Sequence, residues 1–156
     1  MNVYPIQLNL SDKRVVVIGA GKVAYRKVQQ LIKEDIQSLV IISKKFLPEF
    51  FEIEYPKMKL FTKCYDSEDI KYADIIFAAT DDEDVNHLIK QDAKRYQLVN
   101  HIGDKAQSDF YNMCEIKYKD ISIHFRSNGT NRSGVKQLSK AVQAFLNEEY
   151  EEEDNV

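Results

Sequence analysis

Cysteine, long apolar runs and surplus positive charge are all missing or scarce in this sequence. Cys64 and Cys114 are its only two cysteines. They are isolated and show no C-x-x-C spacing, which argues against a disulfide framework or a thiolate metal site. Both read as buried thiols of a reducing compartment. No apolar run approaches the roughly 18 residues of a membrane span. No charged-then-apolar leader opens the chain, so a soluble cytoplasmic protein with no membrane partner is expected. Lys and Arg number 22 against 25 Asp and Glu, a formal net charge of −3, and nucleic acid is not an expected partner. Much of the acidity lies in the last residues, NEEYEEEDNV, which read as a solvated end. There is no internal repeat and no low-complexity linker.

What is present fits one domain with a small appendage. A chain of 156 residues buries about 70% of the surface its unfolded form exposes, so its core needs neither disulfide nor metal. KRVVVIGAG reads as a strand buried on both faces, because its apolar residues are continuous rather than alternating. KVAYRKVQQLIKED follows as a helix with Val23, Val28, Leu31 and Ile32 near one face. SLVIIS, MKLFTKCY, ADIIFAATDD and LVNHI read as further strands. FLPEFFEI reads as a short helix begun near Pro48, and DEDVNHLIKQDAKRY as a helix with Asp82 or Asp84 at its N-terminus. Strands alternating with helices predict an α/β fold, a Rossmann-like doubly wound parallel sheet.

The pattern changes after about Asn112. MCEIKYKDISIHFRSNG reads as two strands around the turn YKD. VKQLSKAVQAFLNEEY is an amphipathic helix begun at Ser133 or Gly134, with Val135, Leu138, Val142 and Phe145 on its apolar stripe. The expected organisation is a nucleotide-binding domain over 1–112, a strand-plus-helix arm over 113–150 and an acidic tail over 151–156.

The pattern G-x-G-x-x-A, formed by Gly19, Gly21 and Ala24, joins the first strand to the first helix. Gly19 permits the tight turn, Gly21 leaves room for a pyrophosphate, and Ala24 lets helix and strand pack closely. The helix N-terminus then offers amides and partial positive charge to phosphates. The plain alternative is a tight turn with no ligand. An acidic ribose-binding residue is expected about 20 residues on, yet Ser43 stands there, followed by Lys44 and Lys45. Either Ser43 and backbone groups hold the ribose, or the lysines accept a 2′-phosphate. AATDDEDVN closes another strand at the same sheet edge. There Ala79 and Thr80 are small enough for a cofactor to lie against the backbone, and Asp81 and Asp82 can accept hydrogen bonds or cap the helix.

Taken in order, YPIQLNLSDKRVVVIGAGKVAYRKVQQL, AATDDEDVN, LVN and SNGTNRSGVKQLSKAV resemble the precorrin-2 dehydrogenase family of sirohaem synthesis over about residues 3–147. That family includes the N-terminal dehydrogenase and ferrochelatase module of sirohaem synthase. The resemblance implies an NAD-binding Rossmann domain, a dimerisation arm, a homodimer, and oxidation of precorrin-2 to sirohydrochlorin by hydride transfer to NAD. It implies that Gly19, Ala20, Gly21, Lys22, Val23 and Ala24 hold the phosphates. Ser43 and Lys44 fall at the adenosine ribose, Thr80 and Asp81 on the nicotinamide side, and Asn100 at the strand end. In the bifunctional members a catalytic Asp lies three residues after that Asn. Here that position is Gly103, and Asp104, one residue on, is the candidate for proton transfer ahead of Asp109. Ser127, Asn128, Gly129, Thr130 and Arg132 match the loop beside the tetrapyrrole, although this loop lacks the family's second glycine and its proline. Arg26, Lys105, Arg126, Arg132 and Lys136 are candidates for a basic rim facing the substrate's carboxylates.

Some family members also insert ferrous iron. Of His87, His101 and His124, only His101 at a strand end is well placed for that. With Gly103 in the acidic position, dehydrogenase activity with weak or no chelatase activity is expected, and no metal ligands are assigned. An alternative of another class is a nucleotide-sensing domain of a potassium-uptake regulator, which pairs a glycine motif with an A-T-x-D strand end. It usually keeps the acidic residue after the second strand and lacks the SNGT loop.

Overall fold

The computed structural model describes residues 3–127 and 131–150. These fall into two compact units, Gln7–Tyr111 and a second formed by residues 3–6 with the described residues from Asn112 onward.

The first unit is built on five parallel strands, β1 (Arg14–Ile18), β2 (Ser38–Ser43), β3 (Met58–Thr62), β4 (Ile75–Ala78) and β5 (Leu98–His101), in the order β3-β2-β1-β4-β5. The chain winds outward from β1 to β3, then crosses to β4 on the other side of β1. The two directions part between β1 and β4, where open α/β sheets bind ligands beyond the carboxyl ends of their strands.

The continuous apolar runs are explained by burial on both faces. Val15, Val17, Leu39, Ile41, Ile75 and Phe77 share one core with Ala24, Val28 and Leu31 of α1 (Lys22–Leu31). Val16, Ile18, Ile42, Ile76, Ala78 and Val99 share the other with Ile89 of α2 (Glu83–Asp92). Successive strand residues therefore supply opposite layers.

Several local expectations are corrected. α1 stops at Leu31, because Lys33, Glu34 and Asp35 bring only polar, exposed side chains. Its buried stripe is Ala24, Val28 and Leu31, while Val23 is 39% exposed and lies off that face. α2 ends at Asp92 rather than continuing to Tyr96. Ala93 turns extended, and the buried Gln97 side chain accepts the Lys94 N–H (2.7 Å) while donating to the carbonyls of Ile70 (2.6 Å) and Ala73 (2.7 Å). The thiols are not both buried: Cys64 is exposed and Cys114 partly so.

In the second unit, β6 (Cys114–Tyr118) and β7 (Ile121–Phe125) pair antiparallel about Lys119 and Asp120. α3 (Arg132–Tyr150) packs on β6. It begins one residue before the expected start, because the Asn131 side chain accepts the Gly134 N–H at 2.8 Å and so satisfies a first-turn amide. Its stripe is only half covered, since Val135 and Val142 are partly buried whereas Leu138 and Phe145 are each 56% exposed. The loop residues Asn128, Gly129 and Thr130 and the acidic tail 151–156 lie outside the described residues.

Candidate functional site

Gly19 is the one described glycine with a positive φ, at +110°. A Cβ there would lie 2.2 Å from the Ala79 carbonyl oxygen, so no side chain fits. Its N–H donates to the Ile42 carbonyl at 2.8 Å. Gly19 thus wedges the β1 end between the ends of β2 and β4. Gly21 does something different. It is the N-cap of α1 in an ordinary extended conformation, and a Cβ added to it would meet nothing within 4 Å. No side chain caps this helix, and its first turn carries no acidic residue. The amides of Lys22, Val23 and Ala24 therefore face an open, electropositive helix end, which is what a phosphate requires. The residues present fit a dinucleotide.

The segment after β2 is tied to the same turn, since the Leu47 N–H donates to the Ala20 carbonyl at 3.1 Å. The Ser43 hydroxyl donates to the Lys45 carbonyl at 2.7 Å. Ser43 therefore shapes its own turn, while Lys44 and Lys45 are exposed.

At the end of β4, Thr80 is clamped by Asn86, a residue 1% exposed that sequence reasoning left without a role. The Thr80 N–H donates to Asn86 Oδ1 (3.0 Å), and Asn86 Nδ2 donates back to the Thr80 carbonyl (3.1 Å). The Thr80 hydroxyl lies 2.8 Å from both Asn86 Oδ1 and the Asp82 carbonyl. A polar residue on the inward side of an amphipathic helix was the available signal. Asp82 is the N-cap of α2, accepting from the Asp84 and Val85 amides, and Asp81 is exposed.

Asn100 pairs in register with Phe77 and donates from Nδ2 to the Phe110 carbonyl at 2.8 Å. It anchors the segment after β5. His101, only 3% exposed, uses Nδ1 to accept the Asp104 N–H at 2.9 Å. Its Nε2 is buried with no hydrogen-bond partner among the described residues. Its ring lies 5.0 Å from that of His87. Burial, helped by His87, pushes the His101 imidazole below the usual histidine range, against the opposing pull of Asp104 and Glu83.

The Asp104 carboxylate caps the 3-10 turn Lys105–Gln107 by accepting the Ala106 N–H at 2.8 Å. Gln107 Nε2 lies 3.1 Å from Asp104 Oδ2 and 2.7 Å from His87 Nδ1. The Ala106 amide first, and Gln107 next, hold the Asp104 carboxyl below the usual carboxylate range. Asp109 is committed too, since both its oxygens lie 2.7 Å from Lys90 Nζ and one accepts the Val99 N–H at 2.9 Å.

Lys27 was also unassigned by the sequence reading. Its ammonium lies 5.7 Å from the centroid of the Phe77 ring. Burial first, and Arg26 next, lower its pKa to about 8. In the second unit, Ser127 follows β7 and Arg132 opens α3 with its side chain exposed. Among the described residues, no three His, Cys, Asp or Glu side chains are placed to hold a metal ion, and no helix is long and apolar enough to cross a membrane.

Residues 6–113 match the model of a family described as "Putative NAD(P)-binding". The chain belongs to this NAD(P)-binding family. A precorrin-2 dehydrogenase of Bacillus subtilis is 28% identical over 152 residues, spanning 97% of this chain and 93% of the relative. A siroheme synthase of Mannheimia succiniciproducens is 29% identical over 147 residues, spanning 94% of this chain. This chain covers 31% of that synthase's length. The solved structure of SirC, a precorrin-2 dehydrogenase, superposes with a TM-score of 0.81 at 22% identity, over 91% of this chain and 70% of that one, and supports the fold. The resemblance and the doubly wound fold expected from the motifs are both borne out.

Proposed function

We propose that this protein is an NAD-dependent precorrin-2 dehydrogenase of the cytoplasm, oxidising precorrin-2 to sirohydrochlorin in sirohaem biosynthesis. The observation that carries this reading is an end-to-end relative: a precorrin-2 dehydrogenase aligns over nearly the full length of both chains. The uncapped N-terminus of α1 beside Gly21 agrees with it.

Bound NAD supplies the acceptor for a hydrogen and its electron pair. This chain's part is to bind and orient. In our reading Gly19–Ala24 admit the pyrophosphate, Ser43 and Lys44 flank the adenosine ribose, and Thr80 and Asp81 border the nicotinamide. Asn100 holds the adjoining segment in place. Asp104 serves as the anchor of its turn. Its carboxylate is engaged by the Ala106 N–H and by Gln107 Nε2.

The domain over 1–112 binds the cofactor and the arm over 113–150 binds substrate. Ser127, Asn128, Gly129, Thr130 and Arg132 contact the tetrapyrrole, with Arg132 pairing a carboxylate. The arm also forms a homodimer, for which the exposed Ile121, Leu138 and Phe145 supply apolar surface. No observation favours the nucleotide-sensing alternative.

The deciding experiment mixes the protein with precorrin-2 and NAD and follows NADH absorbance. Stoichiometric NADH and sirohydrochlorin support the dehydrogenase. Tight NAD binding without NADH supports a sensor. Iron uptake by sirohydrochlorin in the same preparation decides whether chelatase activity accompanies it.

A further inference from the structure

We propose that Glu83, facing the side-chain-free Gly103 at the end of β5, is the carboxylate that accepts the proton released when the substrate is oxidised. This rests on the dehydrogenase reading above.

The geometry brings two separate segments together. Glu83 stands in the first turn of α2, three residues past Thr80, and Gly103 follows β5. A Cβ added at Gly103 would lie 3.4 Å from Glu83 Oε1, 3.6 Å from His101 Cε1 and 3.8 Å from His101 Nδ1. Gly103 does not adopt the left-handed conformation that demands glycine. Its missing side chain supplies space, and the Glu83 carboxylate lies at that space. Both segments lie at the carboxyl edge of β4 and β5, next to the β1–β4 parting where a ligand is expected.

Three neighbouring carboxylates have other work. Asp82 caps α2, Asp104 caps its own turn, and Asp109 is paired with Lys90. Glu83 is exposed. His101 is buried behind it and, through Nδ1, holds the segment that carries Gly103.

The substrate loses two hydrogens and two electrons. One hydrogen leaves with its bonding pair to oxidised NAD, giving NADH. The other leaves an N–H or C–H bond as a proton to a Glu83 oxygen, and the electrons left behind form the new double bond. The proton then passes to solvent.

The test uses the full chain with precorrin-2 and NAD. Glu83→Gln is expected to lower turnover about 10²–10⁴-fold with NAD affinity unchanged. Adding Gly103→Asp to that variant is expected to restore turnover at least about tenfold, since a carboxylate then enters the same space. Turnover of Glu83→Gln within a few-fold of the parent overturns the proposal, as does a double variant no faster than the single one. A second readout needs no activity. The His101 imidazole, followed by NMR, is expected to titrate at lower pH in Glu83→Gln, because a neighbouring negative charge is gone. An unchanged titration overturns the juxtaposition. No NADH from the parent chain overturns the dehydrogenase reading and the proton step with it, while the His101 titration still reports on the Glu83–His101 pairing.

Discussion

The Asn86 side chain closes a two-way hydrogen-bonded ring with the backbone of Thr80, accepting its N–H at 3.0 Å and donating to its carbonyl at 3.1 Å. The pair fixes the backbone where β4 leaves the sheet. Asn86→Leu puts an apolar side chain of similar size in its place and leaves the Thr80 groups without their partner. A buried group so stranded costs about 1–3 kcal/mol. We expect a lower urea midpoint and weaker NAD binding. Unchanged NAD affinity, by calorimetry, would show that the Thr80 loop does not touch the cofactor.

The two motif glycines are predicted to fail differently. Gly21→Val meets open space and ordinary backbone angles, so the fold survives. Its side chain blocks the phosphate approach, and NAD affinity falls. Gly19→Ala puts a Cβ 2.2 Å from the Ala79 carbonyl oxygen on a backbone at φ +110°, so the protein itself is destabilised. Circular dichroism with calorimetry separates the two. A folded Gly21→Val variant with parental NAD affinity would sink the phosphate-loop assignment.

Cofactor discrimination follows from Ser43. The family resemblance implies NAD, yet no carboxylate stands at this strand end to repel a 2′-phosphate, and Lys44 and Lys45 are exposed beside it. NAD is expected to be preferred over NADP by a narrow margin. Ser43→Asp adds the acceptor that a ribose 2′-hydroxyl uses and a 2′-phosphate resists. The NAD-to-NADP ratio of kcat/KM should rise at least about tenfold. A ratio that does not move would place the ribose away from Ser43.

The homodimer can be tested through α3. Leu138 and Phe145 are more than half exposed on a stripe whose other members, Val135 and Val142, are partly buried. Two strands and one helix make a small core, and covering this face with a second copy enlarges it. Sedimentation should show a dimer at micromolar concentration, and Phe145→Asp should shift it to monomer. A parent chain that sediments as a monomer excludes the dimer.

The sheet was legible because each strand is buried on both faces, so its apolar run is unbroken and its alternation with helices is plain. The phosphate turn was legible because its glycines are needed within a few residues of each other. The polar clamps were not. Gln97 acts on Ile70 and Ala73, more than 20 residues away, and Asn100 acts on Phe110. Such partners are set by where loops come to lie in space. For the same reason Gly103 read as the loss of an acidic position, since only the fold brings Glu83 beside it. The helix ends were misjudged because an apolar period says nothing about an interrupting side chain such as Gln97.

His101 makes stability depend on pH in a definite direction. Its Nδ1 accepts the Asp104 N–H, so the folded protein needs the neutral ring, and burial lowers its pKa below the ordinary 6.5. Between the lowered folded pKa and 6.5 the unfolded chain binds more protons than the folded one, so stability rises with pH there. The contribution is complete above about pH 6.5 and is lost as pH falls through the folded value. Asp104, also lowered, titrates below its ordinary 3.8, so its loss occupies a separate, more acidic window. Urea midpoints between pH 7.5 and 5 should therefore fall in the parent, and His101→Leu should flatten that fall while lowering the midpoint at pH 7.5. Parallel pH profiles for the two proteins would show that His101 is not the group responsible. The charges facing the ring are Glu83 and His87 from α2 and Asp104 from the following turn. Glu83→Gln, which removes an opposing negative charge, should accordingly lower the folded pKa further, so that the fall still begins near pH 6.5 but is deeper and extends to lower pH.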